Sequence, residues 1–235
     1  DGFVYSAQYL KDNENIVITA ANDFHNGIGL KIKRNQKSNL FNESIYLMNI
    51  KTKQVKAIGK DFNPSIYSVV VGKDNLYLNC ADKDSISEYR YNIKENKYYK
   101  LNLDVDISHS FSISEDEKTA VYYGENYNKP NRVFVANNIT NNLTTQEVYF
   151  PKKDVYQRMN IGKMDNWSFK AKDGSTIDGR IYYPASFDKS KKYPMIVYYY
   201  GGTEPTDRSF EMRYSAYLYT TQGYIVYVIN PSGTI

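Results

Sequence analysis

The feature that most constrains the fold is a repeat of short alternating strands through the first two-thirds of the chain. Three segments read strand, polar turn, strand, and they span residues 44–55, 87–98 and 132–143. Tyr46, Tyr89 and Phe134 occupy matching places in them, with separations of about 43 and 45 residues, the period typical of four-stranded propeller blades. A chain with this repeat is expected to fold as stacked β-meanders.

A second set of hairpins interleaves with the first, as each blade requires. These hairpins span residues 5–18, 67–78 and 111–122, and their turns are rich in Asp, Asn, Glu and Lys, which favour turns. The pattern predicts about three four-stranded blades of a partial β-propeller. Since propellers typically close from about 4–8 blades, we expect further blades before Asp1.

The amino-acid composition agrees with β structure and argues against several classes of function. The 25 Tyr and 10 Phe suit half-buried sheet surfaces. The 30 basic and 26 acidic residues are mixed along the chain, which argues against nucleic-acid binding. With one cysteine, Cys80, and two histidines, neither a disulfide framework nor a zinc site is expected, and nothing implies a metal or organic cofactor. No apolar run is long enough for a membrane span.

Between two of the repeats lies a polar stretch, residues 22–42, with two glycines and four Lys or Arg. It fits an insertion that projects from a blade and contacts a ligand or a neighbouring domain. A disordered surface loop fits the same residues equally well.

The pattern changes near Pro151, which predicts a domain boundary: a partial propeller over 1–154 and the first part of an α/β-hydrolase domain over 155–235. Beyond the boundary, two alternating runs flank the turn Asp173-Gly174. Residues 193–200 form an apolar run that suits a strand buried on both faces. Apolar spacing then predicts a helix over 207–222, capped by Thr206 or Asp207 and ended by Gly223, followed by a strand over 224–229.

Four stretches in this part resemble the prolyl oligopeptidase family of serine peptidases, and within it the dipeptidyl peptidase IV-like branch. They are WSFKAKDGS (167–175), IYYPASFD (181–188), KYPMIVYYYGG (192–202) and GYIVYVINPSG (223–233). The resemblance is strong over about 160–235 and less specific before that. It implies a hydrolase that acts on peptides, a periplasmic or secreted location, and a parent protein that can form a homodimer.

Tyr200 is the candidate catalytic residue. The pattern alone leaves it open between an aromatic of the buried strand, like Tyr198, and a phenol donor at the strand's carboxyl end, where α/β sheets build active sites. The resemblance favours the donor: in such enzymes the residue before the paired glycines stabilises the tetrahedral intermediate, and Gly201 and Gly202 allow a sharp turn beside the substrate.

The nucleophile itself is not in the sequence. These hydrolases carry Gly-x-Ser-x-Gly, followed by Asp and His, and no such pattern occurs between Asp1 and Ile235. Ser232, in a Pro-Ser-Gly loop, is not expected to be the nucleophile, and His25 and His109 are interpreted as surface or blade residues. The chain alone is therefore expected to be inactive.

Specificity is left open by the residues. The dipeptidyl peptidases of this type hold the substrate amine with paired glutamates, and the sequence has no adjacent Glu-Glu pair. Arg208 and Arg213 fit either solvated helix charges or groups facing the active-site cavity. Two alternatives to a dipeptidyl peptidase remain: a non-catalytic propeller that binds a partner, and an acylaminoacyl peptidase or esterase of the same fold.

Overall fold

The computed structural model describes residues 2–31 and 37–231. Twelve strands up to Tyr149 form three antiparallel meanders of four strands each. The first meander contains β1 (Val4–Tyr9), β2 (Asn15–Ala21), β3 (Glu43–Asn49) and β4 (Val55–Ala57). The second contains β5 (Ser65–Val71), β6 (Asn75–Asp82), β7 (Ser85–Asn92) and β8 (Lys97–Lys100). The third contains β9 (Ile107–Ile113), β10 (Thr119–Asn126), β11 (Lys129–Asn137) and β12 (Thr144–Tyr149).

Five of the six hairpins expected from the repeat overlap antiparallel pairs, and in the sixth, predicted at 132–143, β11 pairs with β12, which begins only at Thr144. β1 pairs with β2, β5 with β6 and β9 with β10, and the strands predicted at 44–55 and 87–98 pair as β3 with β4 and β7 with β8. The second and third meanders are joined by one parallel contact, Ile86 with Ile107. Within the described residues no sheet closes on itself.

Neighbouring meanders pack through apolar residues that alternate along their strands. Val17 and Ile45 of the first meander share a buried cluster with Leu76 and Leu78 of the second. A second cluster joins the second and third meanders and includes Tyr77, Phe111, Tyr122 and Phe134. Full burial of one such side chain contributes roughly 1.5–3 kcal/mol, so each meander depends on the next for its core.

The polar stretch 22–42 leaves the first meander between β2 and β3. It begins with a short helical turn, α1 (Phe24–Gly27), whose Phe24 ring lies 5.0 Å from the ring of Tyr46. The Tyr46 hydroxyl donates to the carbonyls of Ala21 and Asn22, each at 3.0 Å. The start of the insertion is thus packed on the meander.

A separate sheet follows the meanders and the short helix α2 (Lys153–Tyr156). Its strands are β13 (Met164–Asn166), β14 (Phe169–Lys170), β15 (Thr176–Tyr182), β16 (Met195–Tyr199) and β17 (Ile225–Asn230). β15 is antiparallel to β17, whereas β16 is parallel to it. The predicted hairpin turn is present: Gly174 has φ +85°, and Ser175 N–H donates to Asp173 Oδ1 at 3.0 Å.

The helix predicted over 207–222 is wrong for its first half. Only α3 (Ala216–Thr220) is helical, because backbone groups of the preceding residues bond to side chains and to backbone from elsewhere instead of to each other. The predicted stop at Gly223 is confirmed: Gly223 N–H donates to Thr220 O at 3.1 Å and Tyr224 N–H to Tyr219 O at 3.2 Å, with φ +87° at Gly223, which is the Schellman arrangement.

One face of β16, an edge strand of the described sheet, is exposed, so the expectation that both its faces are buried is wrong here. Met195, Val197 and Tyr199 are exposed along one face. Across the ranges 2–31 and 37–231, none of the helices has the length and apolarity needed to cross a membrane.

Candidate functional site

Tyr200 directly follows β16, at the carboxyl end of the parallel pair β16–β17. The register ends with Tyr199 opposite Ile229. The Tyr200 side chain is 54% exposed, and no hydrogen bond to its hydroxyl occurs among the described residues. A phenol in this position is free to donate a hydrogen bond to a group that approaches the strand end.

The two glycines after Tyr200 differ in what they permit. A Cβ on Gly202 would lie 2.3 Å from Tyr200 Cε1 and 2.6 Å from its hydroxyl oxygen, whereas a Cβ on Gly201 would meet nothing within 4 Å. Neither glycine has a positive φ. A side chain at Gly202 would therefore displace the Tyr200 ring from this position, whereas one at Gly201 would meet no neighbour.

The segment after the glycines, residues 203–211, is irregular yet anchored at several points. Thr206 and Asn230, the last residue of β17, bond reciprocally: Thr206 N–H donates to Asn230 Oδ1 at 2.8 Å, and Asn230 Nδ2 donates to Thr206 O at 3.2 Å. Arg180 of β15, which is fully buried, donates from Nη1 to Thr206 O at 2.8 Å and from Nη2 to Asp207 O. The carbonyls of the segment are thus held by the sheet beneath it.

Asp84, in the turn between β6 and β7, binds the same segment from the meanders. Its Oδ1 accepts from Arg208 Nε at 2.9 Å, its Oδ2 from Arg180 Nη1 at 3.2 Å, and its carbonyl from Arg208 N–H at 3.0 Å. The Arg208 side chain is 20% exposed and that of Asp84 is 13% exposed. Burial is the largest single influence on the pKa of Arg208 and lowers it, but the hydrogen bond to Asp84 and the charges of Asp84 and Asp106 together raise the pKa above its ordinary value.

Glu125 of β10 makes a second link from the meanders. Its Oε2 accepts from the backbone N–H of Phe210 at 2.8 Å and of Glu211 at 3.1 Å. Its Oε1 lies 2.8 Å from His109 Nε2, and the Glu125 side chain is 2% exposed. Both oxygens of this buried carboxylate are therefore engaged, as buried charge requires.

A cavity of about 250 Å³ lies between the second meander and the anchored segment. Its lining includes Tyr67, Lys83 and Ser85 from the meander and Glu204 and Asp207 from the segment. Burial raises the pKa of Tyr67 to about 12, with further contributions from the charges of Glu204, Asp207 and Glu43. The Tyr67 phenol is thus a neutral donor over the whole physiological range of pH.

The structure changes the interpretation of the other sequence candidates. Arg208 is neither a solvated helix charge nor unpaired, since it bridges Asp84 and Asn166, while Arg213 is exposed beside Tyr214. His109 is a strand residue of the third meander with a buried partner. Ser232 lies outside the described residues.

Four residues that position the site were missed by sequence reasoning: Asp84, Glu125, Arg180 and Asn230. One signal was present in the sequence. Arg180 and Tyr182 lie two apart in β15 and so share a face of the strand, where both are buried although Thr176 and Asp178 on the same face are exposed, and a buried charge demands a partner. The identity of that partner, 96 residues away, was not readable from the pattern.

No family model matches the sequence, but individual relatives do. The chain is 24% identical over 174 residues to a dipeptidyl-peptidase 5 of Porphyromonas gingivalis, covering 74% of this chain and 25% of that protein. It is 42% identical over 59 residues to a probable dipeptidyl-peptidase 5 of Aspergillus terreus, covering 25% of this chain and 8% of that protein. A probable dipeptidyl-aminopeptidase B of Aspergillus clavatus is 30% identical over 90 residues, which are 37% of this chain and 9% of the relative.

Solved structures agree on the fold. An acylaminoacyl peptidase of Pyrococcus horikoshii superposes with a TM-score of 0.72 at 16% identity, over 98% of this chain and 33% of that one. A prolyl endopeptidase superposes with a TM-score of 0.67 at 14% identity, over 98% of this chain and 31% of the other. This chain thus spans about a third of the solved chains and a quarter or less of the curated relatives. Relatives in sequence and in structure together confirm the resemblance to the prolyl oligopeptidase family, on its dipeptidyl-peptidase-like side, for part of the length of such proteins.

Proposed function

We propose that this chain is part of a serine-type peptidase that hydrolyses peptide bonds in short peptides, with Tyr200 stabilising the oxyanion. In this proposal residues 1–154 are blades of a β-propeller that limits access, and residues 155–235 begin an α/β-hydrolase domain. The nucleophilic serine and its histidine and aspartate come from the parent protein beyond this sequence. The relatives named dipeptidyl peptidase support the reaction class.

The observation that carries the proposal is the free hydroxyl of Tyr200 at the carboxyl end of a parallel strand, with Gly202 packed under its ring. Attack of a serine on a peptide carbonyl places negative charge on the carbonyl oxygen. A phenol O–H at this position would donate to that oxygen more strongly in the tetrahedral state than in the ground state, which lowers the barrier. The histidine of the parent would take the serine proton and pass it to the leaving amine.

The test is Tyr200→Phe in the full-length protein that contains this chain. We expect kcat on a chromogenic dipeptide substrate to fall about 10- to 1,000-fold while KM changes little, since one donor to the oxyanion is removed. Tyr199→Phe is the matched control, because Tyr199 is an exposed tyrosine that directly precedes Tyr200 but lies within β16. Equal rates for the wild type and Tyr200→Phe would refute the oxyanion role.

The glycine pair gives a second test of the same position. Gly202→Ala pushes a methyl group into the Tyr200 ring, so kcat falls by about tenfold or more as the phenol is displaced. Gly201→Ala, with open space around its Cβ, leaves kcat near the wild-type value. If both alanine variants behave alike, the placement of the Tyr200 ring is irrelevant to the reaction.

Two further measurements define the reaction class. A fluorophosphonate probe is expected to label the full-length protein and not residues 1–235, and labelling of the chain alone would show that it carries its own nucleophile. Dipeptide and N-acylated peptide substrates then separate a dipeptidyl peptidase from an acylaminoacyl peptidase. A full-length protein that neither labels nor cleaves any of them would favour a binding module.

A further inference from the structure

We propose that Asp84 is a positioning residue for the candidate oxyanion site: through Arg180 and Arg208 it fixes the segment 203–211, and through that segment the turn at Tyr200. The inference rests on the proposed function of Tyr200. It assigns to the meanders a part in setting the geometry of the reaction site, beyond limiting access to it.

The position of Asp84 is itself well defined. It sits in a tight turn in which the preceding residue, Lys83, has φ +60°, between two paired strands whose register runs to Asp82 opposite Ser85. A short turn at the end of a paired hairpin leaves the aspartate little freedom. Its carboxylate is therefore a fixed point, against which a less regular segment can be held.

Arg180 makes the charge on Asp84 necessary. The Arg180 side chain has 0% exposure, and its donors reach Tyr182 Oη at 2.9 Å, the carbonyls of Thr206 and Asp207, and Asp84. Among the described residues Asp84 is the one carboxylate paired with it. A buried guanidinium without its carboxylate draws in water or moves, and either change releases the two carbonyls that it holds.

The path from these carbonyls to Tyr200 is short. Thr206 is fixed on both sides, by Arg180 and by Asn230. Pro205, with its restricted φ, precedes Thr206, and four residues earlier along the chain Gly202 lies against the Tyr200 ring. Movement of Thr206 is thus transmitted over a few residues to the backbone that supports the phenol.

A second ion pair also joins the meanders to this sheet. It serves as a control that separates a positioning role of Asp84 from simple attachment of the two regions. Lys83 Nζ lies 3.9 Å from Asp178 Oδ2, with side chains 74% and 51% exposed. Lys83 neighbours Asp84 in sequence, but no ion pair or hydrogen bond joins Lys83 or Asp178 to either arginine within the part of the chain that the structure describes. If Asp84 only attached the meanders to the sheet, removing either Asp84 or Asp178 would weaken that attachment to a different degree. Neither change would act specifically through Tyr200.

The experiment compares Asp84→Asn with Asp178→Asn in the full-length protein, alone and combined with Tyr200→Phe. Asp84→Asn keeps the size of the side chain and removes its charge. We expect it to lower kcat about 10- to 100-fold, with intact folding by circular dichroism, and to lower kcat much less in the Tyr200→Phe background, because residues that act as one unit are not additive. Asp178→Asn is expected to change kcat less than twofold in either background.

Amide hydrogen exchange gives a readout that does not depend on activity. In Asp84→Asn, peptides covering 203–211 should exchange at least about tenfold faster, while peptides from β1 to β3 are unchanged. Unchanged exchange in 203–211 overturns the inference whatever the activity. Faster exchange with additive effects of Asp84→Asn and Tyr200→Phe on kcat also overturns it, since Asp84 would then act elsewhere. If Tyr200→Phe alone has no effect, the oxyanion role fails, and faster exchange would still show that Asp84 holds the segment.

Discussion

The meanders of residues 4–149 and the sheet of residues 164–230 are built on different kinds of contact. In the meanders each strand pairs with the next in sequence within each group of four, so the backbone is satisfied by near neighbours. The parallel pair β16–β17 requires a long connection, and its first half lacks regular structure. The first half of the connection is held by side chains that are distant in sequence. We therefore expect the order of the candidate site to depend on a few buried charges. Substitutions at those charges should therefore cost far more than equivalent ones at the surface.

The largest effect is expected at Arg180. Arg180→Ala removes four hydrogen bonds from a fully buried guanidinium and leaves Asp84 with one partner fewer, so we expect a loss of about 3–5 kcal/mol in the free energy of unfolding. Urea unfolding of the chain measures it. Arg180→Lys keeps the charge without the planar guanidinium group, so its loss in the free energy of unfolding should lie between those of the wild type and Arg180→Ala. Lys170→Ala, on the exposed β14, should leave the free energy of unfolding nearly unchanged. A loss below about 1 kcal/mol for Arg180→Ala would contradict the idea that buried charges hold this segment more strongly than surface contacts do.

Glu125→Gln is expected to cost about 1–3 kcal/mol, because the N–H groups of Phe210 and Glu211 then bond to a neutral amide oxygen instead of a charged carboxylate oxygen. Glu211→Gln is the control, since that side chain is exposed and only its backbone is held. Equal stability of the two variants by urea unfolding would show that the 210–211 amides find other acceptors.

Glu43 tests, through the pH dependence of stability, the rule that a buried charge has a large energetic effect. Burial raises the pKa of Glu43 from its ordinary value of 4.5 to about 7, so the folded state favours the neutral form of this carboxyl group. Stability from this group is present below about pH 4.5 and is lost as pH rises to about 7. Glu43→Gln should therefore stabilise the chain at pH 8, by about 1 kcal/mol once solvent screening is allowed for, and have little effect at pH 4.

Thermal unfolding of Glu43→Gln at both pH values measures this effect. Glu115→Gln, in an exposed turn, is expected to change Tm at neither pH. A gain for Glu43→Gln that is the same at pH 4 and pH 8 would contradict the assignment to ionisation.

The smallest effect is expected at the exposed pair Lys83–Asp178. Lys83→Ala should change the free energy of unfolding by less than about 0.5 kcal/mol, because solvent screens the two charges and the long lysine side chain no longer has to be ordered. If Lys83→Ala lost as much stability as Glu125→Gln, burial would not be what makes a charged contact strong or weak in this chain.

Much of the fold was readable from the sequence, and the reason is locality. The hairpins around Tyr46, Tyr89 and Phe134 follow from alternation and turn residues, and the turn at Asp173-Gly174 and the stop at Gly223 follow from single-residue conformational preferences. The helix predicted from Asp207 failed because Glu125 and Asp84 take up N–H groups of Arg208, Phe210 and Glu211. Apolar spacing carries no information about such distant acceptors.

The sequence by itself determined a chain of paired strands followed by an α/β sheet, and it placed Tyr200, Gly201 and Gly202 at the end of a strand. Only the tertiary structure decided that Gly202 supports the Tyr200 ring and that Asp84, Glu125, Arg180 and Asn230 hold the segment beyond it. Strand periodicity and turns arise from neighbouring residues, whereas the partner of a buried charge is chosen by which distant segments the fold brings together.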